Sequence, residues 1–506
     1  MIEASEAWKD IQQRFLLPET YVEIDCAIAE AGLQNETSAS GTNEAIFSDV
    51  DSIRGISDTS TAAKYATLEP NLWALDGTHS ILPDDEPYGN AGYVSDIAQS
   101  GSVTLSLRKV HSAAIPGVTI TWSSEYGEYP HVFTVTAYNG DAVVAETTVT
   151  DNNSSKSVVA LDIANYDSVT VTVHNWCLPD HRTRIDQVFL GHILTFTKNE
   201  IINFTHEQYG SLLSGELPKY SVKFSIDNSD SRWNPNNPSG MERYLSERQK
   251  ITVRYGLDIG GTTEWIKAGT FYLSEWSAPS NGLEAMFVAR DVFEFLIGAK
   301  NPAAIFAPLD DIVDIALAVG SLPADVVVDV DESLAQYMGE YNGDGTAAEI
   351  IQKSANAACC ILRYDRDGVL HIEPLDKTLA SYTIPLALAY SHPEVSLSKP
   401  LKSVSVDYGE PIPYELAVSS AGEVQTISND FIVAEDQAAA VAEWTRDMLS
   451  SRKTISGEFR ADPRLDLFDV VTIESKFGNF APVVITDVQY TYNGSFKATY
   501  VGQVIS

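Results

Sequence analysis

The stretch FSIDNSDSRWNPNNPSG, Phe224–Gly240, begins as a strand and ends in a loop rich in Asp, Asn, Ser and Pro. Val222, Phe224 and Ile226 alternate with polar residues, the period-two pattern of a half-buried strand. Asn and Asp side chains bond their own downstream backbone, and proline lacks the N–H that a sheet needs. The pattern predicts a structural turn made by Asp227, Asn228, Asp230, Pro235 and Pro238.

A calcium-binding loop is the alternative interpretation of these acidic residues. Such a loop needs oxygen ligands at regular offsets, a glycine in its sixth place and a bidentate glutamate at its end. Here Ser229 and Ser231 occupy the third and fifth places, and Arg232 stands where the glycine should be. We therefore expect a corner without a metal ion.

The composition indicates a folded protein of several domains with a large acidic excess. At 506 residues, with 44% hydrophobic and 10% aromatic residues, the chain can form about three or four domains with their own cores. Seventy acidic residues against 33 basic ones give a formal net charge of -37. Because such a charge repels nucleic acid and anionic lipid, we expect neither nucleic-acid recognition nor a membrane partner.

The cysteines and the N-terminus indicate where the protein folds. Cys26, Cys177, Cys359 and Cys360 form no CxxC pair, which disfavours a zinc site or a disulfide framework and fits a reducing cytosol. The first residues lack a basic segment followed by an apolar run, and no stretch approaches the roughly 20 apolar residues that span a bilayer. The sequence therefore predicts no secretion signal and no membrane insertion.

Residues 83–195 form a segment of short runs divided by turn signals, in which apolar and polar residues alternate. The pattern predicts an antiparallel β-sandwich of about seven or eight strands. The stretches ITWSSEYGEYPHVFTVTAYNGD, Ile120–Asp141, and RIDQVFLG, Arg184–Gly191, resemble the discoidin-like, or carbohydrate-binding, jelly rolls. That resemblance implies a sandwich able to bind a host-surface glycan.

Aromatic residues near the predicted loops of this sandwich are the candidates for a sugar site. Aromatic rings stack on sugar rings, and polar side chains bond the sugar hydroxyls. The stacking candidates are Trp122, Tyr126, Tyr129 and Trp176, and the hydrogen-bonding candidates are Glu125, Glu128, His131 and Arg182. The alternative is that Trp122 and Trp176 only plug the ends of the sandwich.

Four further segments are predicted around the sandwich: a leader at 1–82, a β-domain at 196–300, an α+β domain at 301–395 and a second β-domain at 396–506. The leader includes a strand at Thr20–Ile28 and the run YATLEPNLWALDG. The last β-domain is interrupted by a helix across Ala434–Ser450 and has a turn at Asn493-Gly494.

The α+β domain has the clearest local signals. Asp310–Gly320 has the apolar spacing of a helix, with acidic residues at its N-terminus and a glycine at its end. Thr346 and Glu349 are spaced as a capping box, and a hairpin turn is predicted at Asp365–Gly368. These signals predict a helix packed on a hairpin.

Several motifs between about residues 200 and 506 resemble those of the tail-tip or baseplate hub proteins of tailed bacteriophages. These are SVKFSIDNSDSRWNPNNP, GTFYLSEWSAP, AAAVAEWTRDMLSSRK, DPRLDLFDVVTIE and VQYTYNGSFKATYVGQ. One position departs from the pattern, because tail proteins of this kind have glycine where this chain has Phe468. That departure argues against a left-handed turn at this point.

The resemblance implies a mainly β, multi-domain protein with α+β parts, in which hub-type β-barrel domains accompany the sandwich and the helix-on-hairpin domain. It implies an oligomeric ring, a trimer or alternatively a hexamer, at the tail tip of a virion assembled in the host cytoplasm. Implied partners are tube, distal tail, tape measure or fibre proteins. DNA would pass through the ring without specific binding, for which acidic walls are suited.

No motif in the sequence indicates catalysis. HExxH and GxSxG are absent, no cysteine has an evident histidine partner, and the nine histidines are scattered. We therefore predict a structural protein with no catalytic residue, metal or cofactor. Two alternatives stay open: adhesion to carbohydrate through the sandwich, and a tail-borne glycan hydrolase, since carboxylates are too abundant for any pair to be singled out.

Overall fold

The computed structural model describes residues 1–14, 18–30, 32–41, 53–54, 65–67, 92–94, 100–123, 126–179, 181, 183–279, 282–299, 304–323, 325–380 and 382–505. The chain divides into two compact units. The frame unit consists of Met1–Ile24, Phe196–Asn234 and Ile251–Ser506, and the sandwich unit consists of Asp25–Thr195 and Pro235–Lys250.

The described residues form short helices and many strands. The helices are α1 Glu6–Gln12, α2 Phe293–Ile297, α3 Leu309–Gly320, α4 Ala347–Ala357 and α5 Glu435–Met448. The first strands are β1 Thr20–Ile28, β2 Thr37–Gly41, β3 Tyr65–Thr67, β4 Gly92–Val94, β5 Gly101–His111, β6 Ile115–Thr121, β7 Pro130–Asn139, β8 Ala142–Val149, β9 Lys156–Ile163, β10 Tyr166–Trp176, β11 Gln187–Leu190 and β12 His192–Phe196. None of these helices is long and apolar enough to span a membrane.

The remaining strands follow in chain order. They are β13 Ile201–Tyr209, β14 Lys219–Asp227, β15 Lys250–Ile259, β16 Thr262–Ser277, β17 Glu284–Arg290, β18 Ile305–Pro308, β19 Val327–Val330, β20 Met338–Tyr341, β21 Ile361–Tyr364, β22 Val369–Glu373, β23 Thr383–Ile384, β24 Glu394–Leu397, β25 Leu401–Asp407, β26 Tyr414–Ala417, β27 Glu423–Ser428, β28 Lys453–Phe459, β29 Val470–Ser475, β30 Gly478–Tyr492 and β31 Phe496–Val504. The mainly β, multi-domain fold class is therefore confirmed.

The sandwich unit is built from two sheets around one apolar core. A five-stranded sheet has the order β2-β5-β10-β7-β8, and a three-stranded sheet has the order β11-β6-β9. Phe133, Val135 and Ala137 on β7 and Val118 and Ile120 on β6 are buried in the same cluster. Because alternate residues of a strand point to the same face, the apolar residues of the predicted period-two pattern meet between the two sheets and form this core. One strand, β2, lies in the segment predicted as the leader.

One sheet of 13 strands holds the frame unit together. Its order is β12-β1-β15-β16-β17-β14-β13-β30-β31-β28-β24, and β29 joins β30 while β23 joins β29. Strand β13 pairs with β14 on one side and with β30 on the other, where His206 lies opposite Tyr490. The two segments predicted as separate hub domains thus share a sheet, while the bounds of the five predicted segments stay predictions.

Buried polar residues occupy the interior of the frame unit. His206 is fully buried, its Nδ1 lies 2.7 Å from the Tyr255 hydroxyl, and its ring packs edge-on to Phe271 at 5.3 Å. Burial, with the nearby Arg366 charge, lowers the pKa of His206 well below its usual value. The imidazole is therefore neutral and serves as a packed core group.

The α+β part has the predicted helix on a hairpin. Thr346 and Glu349 form the predicted capping box at the start of α4. Strands β21 and β22 pair antiparallel across the turn at Asp365–Gly368, and β19 adds to β22 in parallel. Helix α3 packs against α4, and α5 packs against the separate sheet β26-β25-β27. The three local predictions in this part of the chain are thus confirmed.

The left-handed turn that the sequence argued against is present. Phe468 has a φ of 64°, although it is not a glycine. Its backbone N–H donates to Ile485 O at 2.8 Å, and the Ile485 N–H donates to Asp469 O at 2.9 Å. The prediction was wrong because these strand contacts and the burial of the ring hold a conformation that glycine adopts more readily.

Candidate functional site

The predicted sugar-binding end of the sandwich is organised around a buried carboxylate. Glu128 accepts hydrogen bonds from Trp176 Nε1 at 2.6 Å, and its other oxygen lies 2.7 Å from His181 Nδ1. An Arg184 guanidinium nitrogen lies 3.9 Å from the same carboxylate. Glu128 is 4% exposed, so its main role is to fix the loops that follow β6 and β10.

Trp122 and Trp176 do not present their faces to solvent. Trp122 is fully buried, Trp176 is almost so, and they meet edge to face at 6.4 Å. Trp122 Nε1 donates to Ser157 Oγ at 2.8 Å, so the one polar group of this ring is also satisfied. This packing agrees with the alternative interpretation, in which both rings only fill the end of the sandwich. Neither ring can stack on a sugar unless the loops move.

Three of the predicted sugar-site residues remain accessible at this end. Tyr126 and Tyr129 are half-buried and His131 is exposed. The Arg184 guanidinium lies 5.0 Å from the centre of the Tyr126 ring, and the Tyr129 and His131 rings meet edge to face at 5.8 Å. Arg182 and Glu125 lie outside the described residues. Sugar binding here stays a prediction that rests on these three rings.

A second recess of the sandwich unit was not predicted. It has a volume of about 370 Å³, and its polar lining includes Glu30, Asp162, Arg243 and Tyr244. Tyr244 donates to Asp162 at 3.1 Å, and an Arg243 nitrogen lies 3.4 Å from the same carboxylate. Arg243 and Tyr244 are 81 or more positions from Asp162 in the sequence, so no local sequence pattern predicts this recess.

The frame unit has a groove of about 650 Å³ on the outward face of its sheet. Glu207 and Tyr209 on β13 alternate with buried His206 and Gln208, so their side chains point out of the core. Asp487 lies opposite Tyr209 on β30, and Gln489 lies opposite Glu207. The apolar side of the groove is formed by Leu217, Pro218, Phe293 and Ile297.

Acidic residues outnumber basic ones in the lining of the groove, with Glu207, Asp291, Glu294 and Asp487 against Lys219 and Arg290. Gln489 Nε2 donates to Glu207 at 2.7 Å, while burial and the Glu207 charge raise the pKa of Asp487. At the rim, Arg290 pairs with Glu275 and Glu294 at 3.0 and 2.7 Å. A bound cation near Glu207 and Asp487 would relieve their repulsion.

One wall of the groove contains a carboxyl group that is not open to ligands. Asp291 accepts hydrogen bonds from the backbone N–H groups of Tyr220 at 2.7 Å and Phe293 at 2.9 Å. Burial raises the pKa of Asp291 to about 7, against the lowering effect of these bonds. The side chain ties β14 to α2 and thereby fixes the shape of the groove.

A histidine among three carboxylates lies on the sheet β19-β22-β21. His371 Nδ1 lies 3.1 Å from Asp329 and 3.9 Å from Glu373, and its Nε2 lies 3.0 Å from Asp365. Arg363 binds Glu373 at 2.8 Å. Asp329, His371 and Glu373 have ligand atoms within 4.8 Å of one another. No local sequence pattern predicts this cluster, because Asp329 is 42 positions from His371.

The turn predicted at the opening stretch is made by side chains that bond the adjacent backbone. Asp227 accepts from Ser229 N at 3.1 Å, and Asp230 accepts from Arg232 N at 3.1 Å. Asn228 is buried, and its Oδ1 accepts from Trp233 N at 3.0 Å. Such bonds are those of a chain reversal.

The prolines of this stretch lie in turns as well. Gly240 N donates to Asn237 O at 3.0 Å, which places Pro238 second in a four-residue turn, its preferred position. Pro235 also lies in a turn, directly after the half-buried Asn234. The loop thus uses its prolines and acidic residues to change direction.

The thiols of Cys26, Cys359 and Cys360 are poorly suited to nucleophilic chemistry. Burial raises the pKa of Cys359 to about 12 and that of Cys360 to about 11. Since the thiolate is the nucleophile, both groups are inert at neutral pH. Cys26 is buried in the same way, and burial raises its pKa further.

Comparison with known proteins finds similarity in fold. No protein-family model and no curated protein sequence matches the chain. Among solved structures, the 43 kDa tail protein of prophage MuSo2 from Shewanella oneidensis is similar over 62% of this chain and 95% of its own, with 14% identity and a TM-score of 0.44. Prophage tail protein gp18 from Listeria monocytogenes is similar over 62% and 92%, with 10% identity and a TM-score of 0.41.

A third similar structure is a component of the type VI secretion system of E. coli, described as structurally similar to the T4 bacteriophage tail proteins gp27 and gp5. It covers 61% of this chain and 74% of its own, with 11% identity and a TM-score of 0.38. The likeness concerns the fold, and the role is proposed below.

Proposed function

We propose that this chain is a structural component of a bacteriophage tail tip or baseplate. Copies would form a hub ring that joins the tail tube to the tip apparatus and frames the DNA channel. The observation that carries the proposal is the continuous 13-stranded sheet, in which β13, β14, β16 and β17 are joined through the β13–β30 pairing to β28, β30 and β31 near the end of the chain. The resemblance of the sequence between about residues 200 and 506 supports the same role.

The proposed mechanism is assembly rather than catalysis. A rigid scaffold with interaction surfaces can position neighbouring tail proteins, and the thiols of Cys359 and Cys360 are inert at neutral pH. Release of reducing sugar from bacterial cell walls by the purified protein would instead favour the glycan hydrolase alternative.

Electron microscopy of the purified protein tests the ring. We expect closed particles with three copies, and six would also fit the proposal. Because the chain has a net charge of -37, we expect the lumen of that ring to carry more Asp and Glu than Lys and Arg. Particles that stay monomeric at all concentrations would overturn the proposal, whereas a basic lumen would overturn the channel argument alone.

We propose adhesion to a host glycan as a second function, through the sandwich unit. Its support is the accessible group of Tyr126, Tyr129 and His131 at the end of the sandwich. A glycan array should give a signal that Tyr129→Ala abolishes. As a matched control, Tyr390→Ala removes an exposed ring of the frame unit and should leave the signal unchanged.

A further inference from the structure

The hairpin between β29 and β30 presents an exposed aromatic side chain at its tip. Phe477 is 95% exposed, which is unusual for so large an apolar residue. Ser475 Oγ donates to Gly478 O at 2.5 Å and accepts from Phe477 N at 3.2 Å, so the turn has a fixed shape. Lys476 is exposed beside the ring. The tip is therefore a rigid apolar and cationic projection.

The groove of the frame unit has the complementary chemistry. Its apolar lining includes Leu217, which is half-buried, and Ile297, which is 49% exposed, whereas Phe293 is buried. Its carboxylates Glu207 and Asp487 lie on the paired strands β13 and β30, and burial together with the Glu207 charge raises the pKa of Asp487. An occupant with an aromatic ring and an adjacent ammonium group would cover the apolar lining and offset that effect of the Glu207 charge.

The hairpin tip cannot fill the groove of its own chain. Gly478 and Asp487 lie on the same strand nine residues apart, which is about 30 Å at the rise of a β-strand. Both ends are fixed in ladders, since Gly478 pairs with Ser475 and Asp487 pairs with Tyr209. If the two surfaces meet, they belong to different copies.

We propose that Lys476 and Phe477 of one copy dock in this groove of the next copy. Phe477 would pack on Leu217 and Ile297, and the Lys476 ammonium would face Glu207 and Asp487. Because the tip and the groove are different surfaces, the contact is head-to-tail and forms a closed ring when the rotation per copy closes. This inference rests on the proposed hub ring and names the contact that builds it.

Substitution at the tip tests the contact. Phe477→Ser should weaken self-association at least tenfold in analytical ultracentrifugation, and Lys476→Glu should weaken it as well. Each variant should melt as the original protein does, because both side chains are exposed. Leu397→Asp is the matched control, since Leu397 is 63% exposed on an edge strand outside the groove. This variant should self-associate as the original protein does.

A charge exchange and a crosslink identify the partner surface. Glu207→Lys should weaken association, and combining it with Lys476→Glu should restore it. Phe477→Cys and Ile297→Cys in one chain should give covalent oligomers on mild oxidation, while the original protein, with its four native cysteines, should not. A ring that survives every tip variant and yields no crosslink would overturn this contact and leave the hub proposal intact; a protein that never self-associates would overturn both.

Discussion

Phe468 illustrates how burial can outweigh backbone strain. A non-glycine residue in the left-handed region costs roughly 1–2 kcal/mol, whereas truncating a buried phenylalanine costs about 3–5 kcal/mol. The ring packs against Gly210, where an added Cβ would lie 2.4 Å from Phe468 Cζ. Gly210 has no side chain at this contact, and this leaves the space that the Phe468 ring occupies.

Gly210→Ala should therefore lower the free energy of unfolding by about 1–3 kcal/mol, because the added Cβ overpacks the Phe468 contact. Chemical denaturation measures the change. Gly298→Ala is the matched control, since a Cβ there would meet nothing within 4 Å. Equal stability of the Gly210 variant and the control would contradict this account of the turn.

His371 should make stability depend on pH. The hydrogen bond with Asp365 raises its pKa, while burial and Arg363 lower it, and the charges of Asp329 and Glu373 also face the ring. Because the pKa of His371 is raised in the folded state, its contribution to the free energy of unfolding is complete below the pKa of the unfolded state, about 6.5. That contribution is lost as the pH rises through the pKa of the folded state.

His371→Gln should therefore reduce the stability by on the order of 0.5–1 kcal/mol at pH 5 and by less at pH 8. Melting curves across this range measure the effect, and the difference between variant and original cancels the titration of Asp291, whose raised pKa acts in the same direction. The exposed His392 supplies the control variant His392→Gln. A difference that grows with pH would contradict the assignment.

Removal of divalent ions should leave the protein unchanged. The carboxylates of Asp227 and Asp230 bind their own loop, and those around His371 are partly offset by Arg363. A bound ion would add RT ln(1 + [L]/Kd) to the stability and lose it to a chelator. Thermal melting with and without EDTA should coincide, and a chelator-dependent shift would indicate a metal at one of these two places.

The hairpin β21–β22 is anchored by one buried arginine at its turn. Arg366 is 3% exposed and donates to the backbone oxygens of Pro463 at 2.6 Å and Leu465 at 2.7 Å. Its Nε also lies 3.3 Å from Asp466, a buried carboxylate. The planar guanidinium can serve these acceptors at once, which a lysine cannot.

Arg366→Met should lower the stability by about 3–5 kcal/mol, because it leaves Asp466 buried without its cation. Adding Asp466→Asn should recover part of the loss, since the uncompensated charge is then removed. Arg363→Met is the control, as that more exposed arginine pairs with Glu373 and should cost about 1 kcal/mol or less. Denaturant midpoints of the four proteins measure the difference; similar losses for both single variants would contradict the anchoring role.

Elements that depend on nearby residues were predictable, and pairings across the chain were not. The capping box of Thr346 and Glu349 and the helix Glu435–Met448 follow from spacing within a few turns. The pairing of β13 with β30 joins residues about 280 positions apart, and no local pattern encodes its register. Trp122 and Trp176 were candidates for stacking on a sugar, but both are buried. Whether such a ring is buried depends on the positions of the surrounding loops, which the sequence does not reveal.

The connections of the larger segment of the sandwich unit, Asp25–Thr195, indicate that most of it can be removed from the chain. An added Cβ on Gly191 would lie 2.4 Å from Ile28 O and 2.7 Å from the Ala29 Cβ, so the chain leaves and returns at one place. Strand β2 pairs with β5, and a deletion must therefore begin before β2 rather than at the predicted boundary near residue 83.

Replacing residues 31–190 with a short Gly-Ser bridge should thus give a folded protein that still forms the hub ring. The deletion removes β2, β5 and the core between the two sheets together. It keeps Pro235–Lys250, where Tyr244 and Leu245 lose the recess that they share with Pro116 and Asp162. It keeps Ala29, whose carbonyl accepts from Gln249 Nε2 at 2.9 Å. Circular dichroism and electron microscopy of this variant, beside the original protein, measure the outcome. Soluble rings of the same copy number are expected because the proposed contact lies wholly in the frame unit, and an insoluble or monomeric product would show that the sandwich unit is needed to fold or assemble that frame.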